Sequence, residues 1–293
     1  MTPPPPSIPN SMPAPPDRSA QKPRRFSVNA VVMSGLAAFA LIFLLLPMVG
    51  LLVRALSNAQ ALDIAASGIP EALTLSAITT GISAGLTLLF GTPLAYAFAR
   101  WRFPFKRLLN TAIELPIVLP PAVAGLALLV TFGRRGLLGG TLNMLGITLP
   151  FTVYAVIMAQ CFVAAPFFIR AAQIGFQSIA KEIEDAARVD GADGWALFRR
   201  VTLPLSFRAL SAGLILSWAR ALGEFGATIL FAGSLQGRTQ TLPLLIYNVI
   251  ERDLNAAMWT GVILIAAAGI ALLISHLITH RKEGAGDDYA GIA

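Results

Sequence analysis

The sequence predicts an all-α integral membrane protein with six transmembrane helices and both ends of the chain in the cytoplasm. Three observations lead there. The first is composition: of 293 residues, 56% are hydrophobic and 13% charged, with mean hydropathy +0.71, where a soluble domain is about 25% charged. The second is spacing. Cutting at every charge leaves uncharged runs of 28 residues (26–53), 28 (72–99), 19 (115–133), 34 (136–169) and 27 (254–280), matching the roughly 20 residues that cross a bilayer. A sixth run, 209–237, is interrupted only by Arg220 and Glu224. The third is charge asymmetry. Of 22 Lys and Arg, 16 fall in the N-terminal tail, the span 2/3 and 4/5 connections and the C-terminal tail, 5 in the alternate connections, and Arg220 within a span. The Lys/Arg-rich side is cytoplasmic.

The elements follow in chain order. Residues 1–25 hold nine of the chain's 20 prolines and no apolar periodicity, so they cannot bury enough surface to fold and are expected to be a disordered cytoplasmic tail. The membrane domain is expected over 26–282. Span 1, 30–53, is too long for a cleavable signal peptide, whose apolar core is about 7 to 15 residues. Span 2 is placed at 73–97, with Thr92 and Pro93 near a helix break. Span 3, 112–132, carries Pro116, Pro120 and Pro121, tolerated at membrane depth where neighbours pack the backbone or it lines a cavity. Span 4, 151–170, contains the lone Cys161, a small apolar residue by its surroundings. A cytoplasmic loop over 177–206 precedes span 5 (209–231), and an accessible outer segment from Gly233 to Leu254 precedes span 6 (256–278). Residues 283–293 form a tail.

The 177–206 loop reads as two short helices. Ser178 is a candidate N-cap, Ile179, Ile183, Ala186 and Ala187 recur at helical spacing, and Gly191 suits a left-handed cap. Asp193 can cap a second helix through Trp195, Leu197 and Phe198, and Pro204 is expected to end the segment. The small Ala186 and Ala187 leave an open face that a partner's groove could receive.

Asp185-Ala186-Ala187, Gly191 four positions on, and Val201-Thr202-Leu203-Pro204 resemble the E-A-A loop of ABC importer permeases, with matching spacing throughout. Asp185 stands where that family has Glu, Glu184 lies one position early, and Val201 replaces Ile. The resemblance covers about 72–278. It implies a type I ABC importer permease fold in a bacterial inner membrane. In that family the loop is a coupling helix seated in a separate ATPase, which places Glu184, Asp185, Ala186, Ala187, Gly191, Leu203 and Pro204 in the coupling surface. The stretch from Ala219 to Tyr247 (ARALGEFGATILFAGSLQGRTQTLPLLIY) is similar to oxyanion permeases, its GATILFAG and RTQTLPLLIY parts to the molybdate branch; sulfate and thiosulfate permeases share RALGEFGA and then diverge. The implied cargo is molybdate or tungstate, with sulfate or thiosulfate as the alternative. The implied partners are a second copy of the chain, a cytoplasmic ABC ATPase dimer and a periplasmic molybdate-binding protein. No cofactor is expected on this chain, with ATP and Mg on the ATPase.

Arg220 and Glu224 are four residues apart and so share a helix face, where pairing removes most of the cost of placing either in a membrane. Gly223 and Gly226 flank Glu224 and would admit a neighbouring backbone. The four residues fit a translocation pathway, where Arg220 attracts a dianion, or a structural brace. Arg238, Thr239, Gln240 and Thr241 are candidate outer-face contacts, Thr239 and Thr241 doubling as turn or cap residues.

Other classes fit less well. His276 and His280 lack a third ligand nearby, so no metal site is expected. No phosphate-binding glycine loop with its Lys and Ser/Thr occurs, which excludes the usual ATP chemistry and points away from an enzyme. No basic helix or aromatic-basic surface outside the bilayer suits nucleic acid. An ion-coupled secondary transporter could use Arg220 and Glu224 as a proton relay, but it has no use for a docking loop and would show an internal repeat.

Overall fold

The structure, a computed structural model, describes residues 28–58 and 67–280. The predicted tails at 1–25 and 283–293 lie outside the described residues, as do the side chains of His276 and His280. No strand occurs among the described residues. The helices are α1 (Val28–Ser57), α2 (Ile69–Arg100), α3 (Lys106–Val118), α4 (Pro121–Phe132), α5 (Gly139–Met144), α6 (Val153–Gln177), α7 (Lys181–Val189), α8 (Gly194–Leu197), α9 (Leu203–Leu222), α10 (Gly226–Phe231), α11 (Leu242–Val249) and α12 (Leu254–His280). The chain divides into two compact units at Val49/Gly50, within α1.

Five helical stretches are long and apolar enough to cross a membrane, and the α3/α4 pair makes a sixth if counted as one bent span. All six predicted spans are therefore present, but two are broken. Span 3 turns by 114° between α3 and α4. Leu119 and Pro120 each precede a proline and take ψ 135° and 133°, the extended geometry that a following pyrrolidine ring imposes. Single prolines do not do this: Pro93 and Pro116 lie inside α2 and α3. Thr92 is accordingly not at a break, and its hydroxyl donates to the Leu88 carbonyl at 2.6 Å.

In the second unit the core is built from α2, α6 and α9, which pack on one another, with α4 and α10 against α6 and α11 against α2 and α12. Small residues let α6 and α9 approach closely: a Cβ added at Gly213 would lie 2.5 Å from that of Ala171, the packing that membrane helices use where burial of apolar surface gives no drive. The inward face of α2 carries a row of buried hydroxyls, Ser76, Thr79, Thr80, Ser83 and Thr87. Ser76 accepts from the Leu242 amide at 2.8 Å, Thr79 accepts from the Gln160 amide at 3.2 Å, and Ser83 Oγ lies 3.2 Å from Cys161 Sγ. Cys161 is half-buried inside α6 as expected, but with a polar neighbour.

Candidate functional site

The cytoplasmic loop folds as two short helices, α7 and α8, with different boundaries from those expected. Ser178 is no N-cap: α6 runs on to Gln177, and the Ser178 hydroxyl donates to the Gly175 carbonyl at 2.9 Å. Gly191 follows α7 with φ +88°, a conformation that a side chain would strain. Asp193 caps α8 by accepting from the Ala196 amide at 2.7 Å. Pro204 does not end the segment. A π-helical turn over Phe198–Thr202 joins α8 to α9, and Pro204 falls in the first turn of α9, where its missing N–H leaves no bond unmade.

Two neighbouring carboxylates on α7 have opposite fates, since successive residues point about 100° apart around a helix. Glu184 turns inward with its side chain 5% exposed, and its Oε1 lies 2.6 Å from Arg100 Nη2 at the end of α2. The same oxygen accepts from Thr202 Oγ1 at 3.1 Å. Asp185 points outward, 65% exposed, and pairs with Arg188 at 2.7 Å. This corrects the expectation that groups Glu184 with the partner-facing residues, because burial and two partners leave it nothing to offer a second protein. Asp185, Ala186 and Gly191 are exposed and Ala187 is half-buried; apolar Ile183, Val189 and Trp195 are exposed nearby. Leu203 is half-buried and Pro204 exposed.

An aromatic chain ties the same loop to the bundle. Trp195 stacks on Phe198 at 5.8 Å, Phe198 meets Tyr96 of α2 edge-on at 5.1 Å, and Tyr96 meets Phe176 of α6 edge-on at 5.5 Å. The loop is thus fixed to α2 twice, by a buried ion pair and by stacked rings.

Span 5 also differs from expectation. It stops at Leu222 and restarts at Gly226, so Arg220 and Glu224 do not share one continuous helix. They pair nonetheless: Arg220 Nη2 lies 2.7 Å from Glu224 Oε2, with the side chains 29% and 1% exposed. Glu224 Oε1 accepts from the Ala227 amide at 2.8 Å. One carboxylate therefore bridges the break, holding the end of α9 through one oxygen and the start of α10 through the other. A side chain that can cap the next helix competes with continuing the present one, and Gly223 lowers the cost of stopping.

The two breaks meet. A Cβ on Gly226 would sit 2.5 Å from that of Pro121, and one on Gly125 would sit 2.7 Å from the Ala227 carbonyl oxygen. Gly226 thus serves the close approach predicted for it, at the start of α4. Gly223 does not: it is exposed, with only the Ala219 carbonyl oxygen, at 3.9 Å, near an added Cβ.

Within the outer segment, residues 239–245 are folded away. Thr239, Gln240 and Thr241 are buried and only Arg238 is exposed, a correction to their grouping as surface contacts. Thr239 Oγ1 accepts from the Leu235 amide at 2.9 Å, which makes it a turn residue, and Leu242 anchors the strip to α2 through Ser76. Gln240 still lines a polar cavity of about 440 Å³ with Ser234, Gln236, Asn248 and Arg252. The anchors Arg100, Thr202 and Tyr96 were not among the predicted site residues.

The family described as binding-protein-dependent transport system inner membrane component matches residues 88–283. Over 202 residues the chain is 42% identical to the molybdenum transport system permease protein ModB of Mycobacterium tuberculosis, covering 69% of this chain and 76% of that one. The sulfate transport system permease protein CysW of Synechococcus elongatus is 36% identical over 214 residues, covering 73% of this chain and 75% of that one. Among solved structures, a bacterial alginate ABC transporter in complex with an alginate pentasaccharide-bound periplasmic protein superposes with TM-score 0.62 at 21% identity, covering 87% of this chain and 96% of that one.

Proposed function

The chain belongs to the family of binding-protein-dependent transport system inner membrane components, and on that premise we propose that it is the multi-pass permease subunit of an ATP-driven importer carrying molybdate, with tungstate as a near-isosteric cargo, into the cytoplasm. The observation that carries the cargo is the 42% identity to a molybdenum transport permease over 202 residues. An ion-coupled carrier loses its footing, since the family works with a delivery protein and the α7/α8 loop presents a surface for a partner.

Asp185, Ala186, Ala187 and Gly191 form the surface that a cytoplasmic ABC ATPase would grip, and ATP and Mg belong on that subunit rather than on this chain. Six spans supply half a conduit, so two copies would enclose the path. A periplasmic molybdate-binding protein would deliver cargo at the outer face, near the polar cavity that Gln240 and Arg252 line. Within the chain, Glu224 acts as the brace that joins α9 to α10. Arg220 keeps a partly exposed guanidinium beside the two helix breaks, where a passing dianion would find a cation already neutralised enough to release it. Weak attraction suits conduction, which fails when a site holds its ion tightly.

Radiolabelled molybdate uptake into proteoliposomes containing this chain, its ATPase and its binding protein tests the reading. ATP-dependent uptake blocked by tungstate and not by sulfate is the expected result. Block by sulfate alone would move the chain to the sulfate branch, and uptake without ATP would overturn the importer.

A further inference from the structure

The connection between α2 and α3 breaks several local rules at once. The first turn of α3 carries Lys106 and contains no acidic residue, although a helix N-terminus repels cations. Its N-cap, Phe105, offers no side-chain hydrogen bond and takes φ +59°, a left-handed conformation costly for a bulky side chain. Such conflicts mark places where something outside the local chain completes the balance.

What would complete it is an anion. The connection and α6 border an open hollow of about 580 Å³ lined by Arg102, Lys106, Arg107 and Asn110, with Phe103 and Phe105, and no acidic side chain lines it. Arg102 and Arg107 form no ion pair among the described residues, and Glu114, on the same helix, is taken by Arg170 at 3.5 Å. Lys106 is held in place, donating to the Trp101 carbonyl at 2.8 Å above the Phe103 ring. Gln173, on α6, is 5% exposed and lines the cavity. Its Oε1 accepts from Arg170 at 3.4 Å, so what it adds to the lining is an amide N–H donor. A topology signal needs only basic residues somewhere in the loop. Here they surround one hollow, at an uncapped helix end, opposite a buried donor.

We propose that this cavity binds the phosphate group of an anionic phospholipid of the cytoplasmic leaflet. The ligand chemistry is a tetrahedral oxyanion, which guanidinium forks and helix-end amides suit. The lipid source follows from the rings: Phe105 is 75% exposed and Trp101 is exposed beside it, positions that suit the headgroup level of a bilayer and are unfavourable in water. The phosphate meets Arg102, Arg107 and the start of α3, and the glycerol and upper acyl chain lie on Phe103 and Phe105.

The test uses the full chain in nanodiscs of mixed phosphatidylglycerol and phosphatidylcholine, with retained lipid counted by native mass spectrometry. Enrichment of phosphatidylglycerol is expected, falling roughly five-fold for each of Arg102→Gln and Arg107→Gln and unchanged in Arg208→Gln, an exposed arginine of α9 that does not line the cavity. Equal retention of the two lipids, or an equal loss in Arg208→Gln, would overturn the site in favour of diffuse surface charge. Sodium phosphate matched in ionic strength to sodium chloride should leave the enrichment unchanged. Displacement by phosphate would overturn the lipid assignment in favour of a free cytoplasmic oxyanion. None of these outcomes depends on what the chain transports.

Discussion

Glu184→Gln removes one charge and almost no volume from a buried three-way contact, so its effect isolates electrostatics. In the native chain Glu184 Oε1 takes Arg100 at 2.6 Å and Thr202 at 3.1 Å, with the side chains of the ion pair 5% and 14% exposed. Arg100 Nε is already buried without a partner, so a guanidinium deprived of its carboxylate keeps only the Ile179 carbonyl, at 3.4 Å. Breaking a buried pair from one side costs about 3–5 kcal/mol, and the residual exposure of Arg100 puts the expectation at the lower end, about 3 kcal/mol. For a chain of this size that lowers Tm by roughly 6–12 °C. Replacing both partners, Glu184→Gln with Arg100→Met, should recover at least half of the loss because no stranded cation remains. Asp185→Asn, one residue away and 65% exposed, should change stability by no more than about 0.5 kcal/mol. Thermal melts of the native chain, Glu184→Gln, Arg100→Met and the double variant in one detergent form a double-mutant cycle, and with Asp185→Asn as the control they decide it. If Glu184→Gln melts with Asp185→Asn, or if the double variant melts no higher than Glu184→Gln, the inward carboxylate does not anchor the loop.

Other expectations follow from the same contacts. Gly226→Ala should cost about 1–3 kcal/mol, because the new methyl collides with Pro121, whereas Gly223→Ala, in the open, should be neutral or mildly stabilising; paired melts give the comparison. Glu224→Gln keeps an acceptor for the Ala227 amide but leaves Arg220 without its charge partner, a loss of about 1.5–3 kcal/mol that Arg220→Met with Glu224→Gln should reduce, read from the same melts. Ala187→Arg places a long cation at a half-buried position of α7 and should abolish pull-down of the ATPase while the protein still folds in the membrane; normal pull-down would remove the docking assignment.

The spans were legible because little besides crossing a bilayer calls for an uncharged run of about 20 residues, and Gly191 and Asp193 were legible because their roles are local. What escaped depended on distant residues or on competition between neighbours. Glu184 and Asp185 are equivalent in a sequence, and only Arg100, 84 positions earlier, decides which of them turns inward. The i, i+4 spacing of Arg220 and Glu224 correctly gave a pair and wrongly implied an unbroken helix, since a carboxylate that caps the next helix is as well placed as one that lies along the same one. Pro120 and Pro121 were visible as possible breaks, but the size of the turn is set by two consecutive pre-proline residues. The hydroxyl row of α2 was readable in principle from Ser and Thr at helical spacing, and was masked by the apolar residues between them.

The π turn at Phe198–Thr202 leaves no slack between the loop and the membrane. From Gly194 to Leu222 the backbone stays wound without a coil, a rod of about 40 Å at 1.5 Å per residue. A flexible tether can only pull, but a rod also transmits torque. A partner that rolls α8 therefore passes torque toward the far end, and that end carries Arg220 beside the break that Glu224 spans.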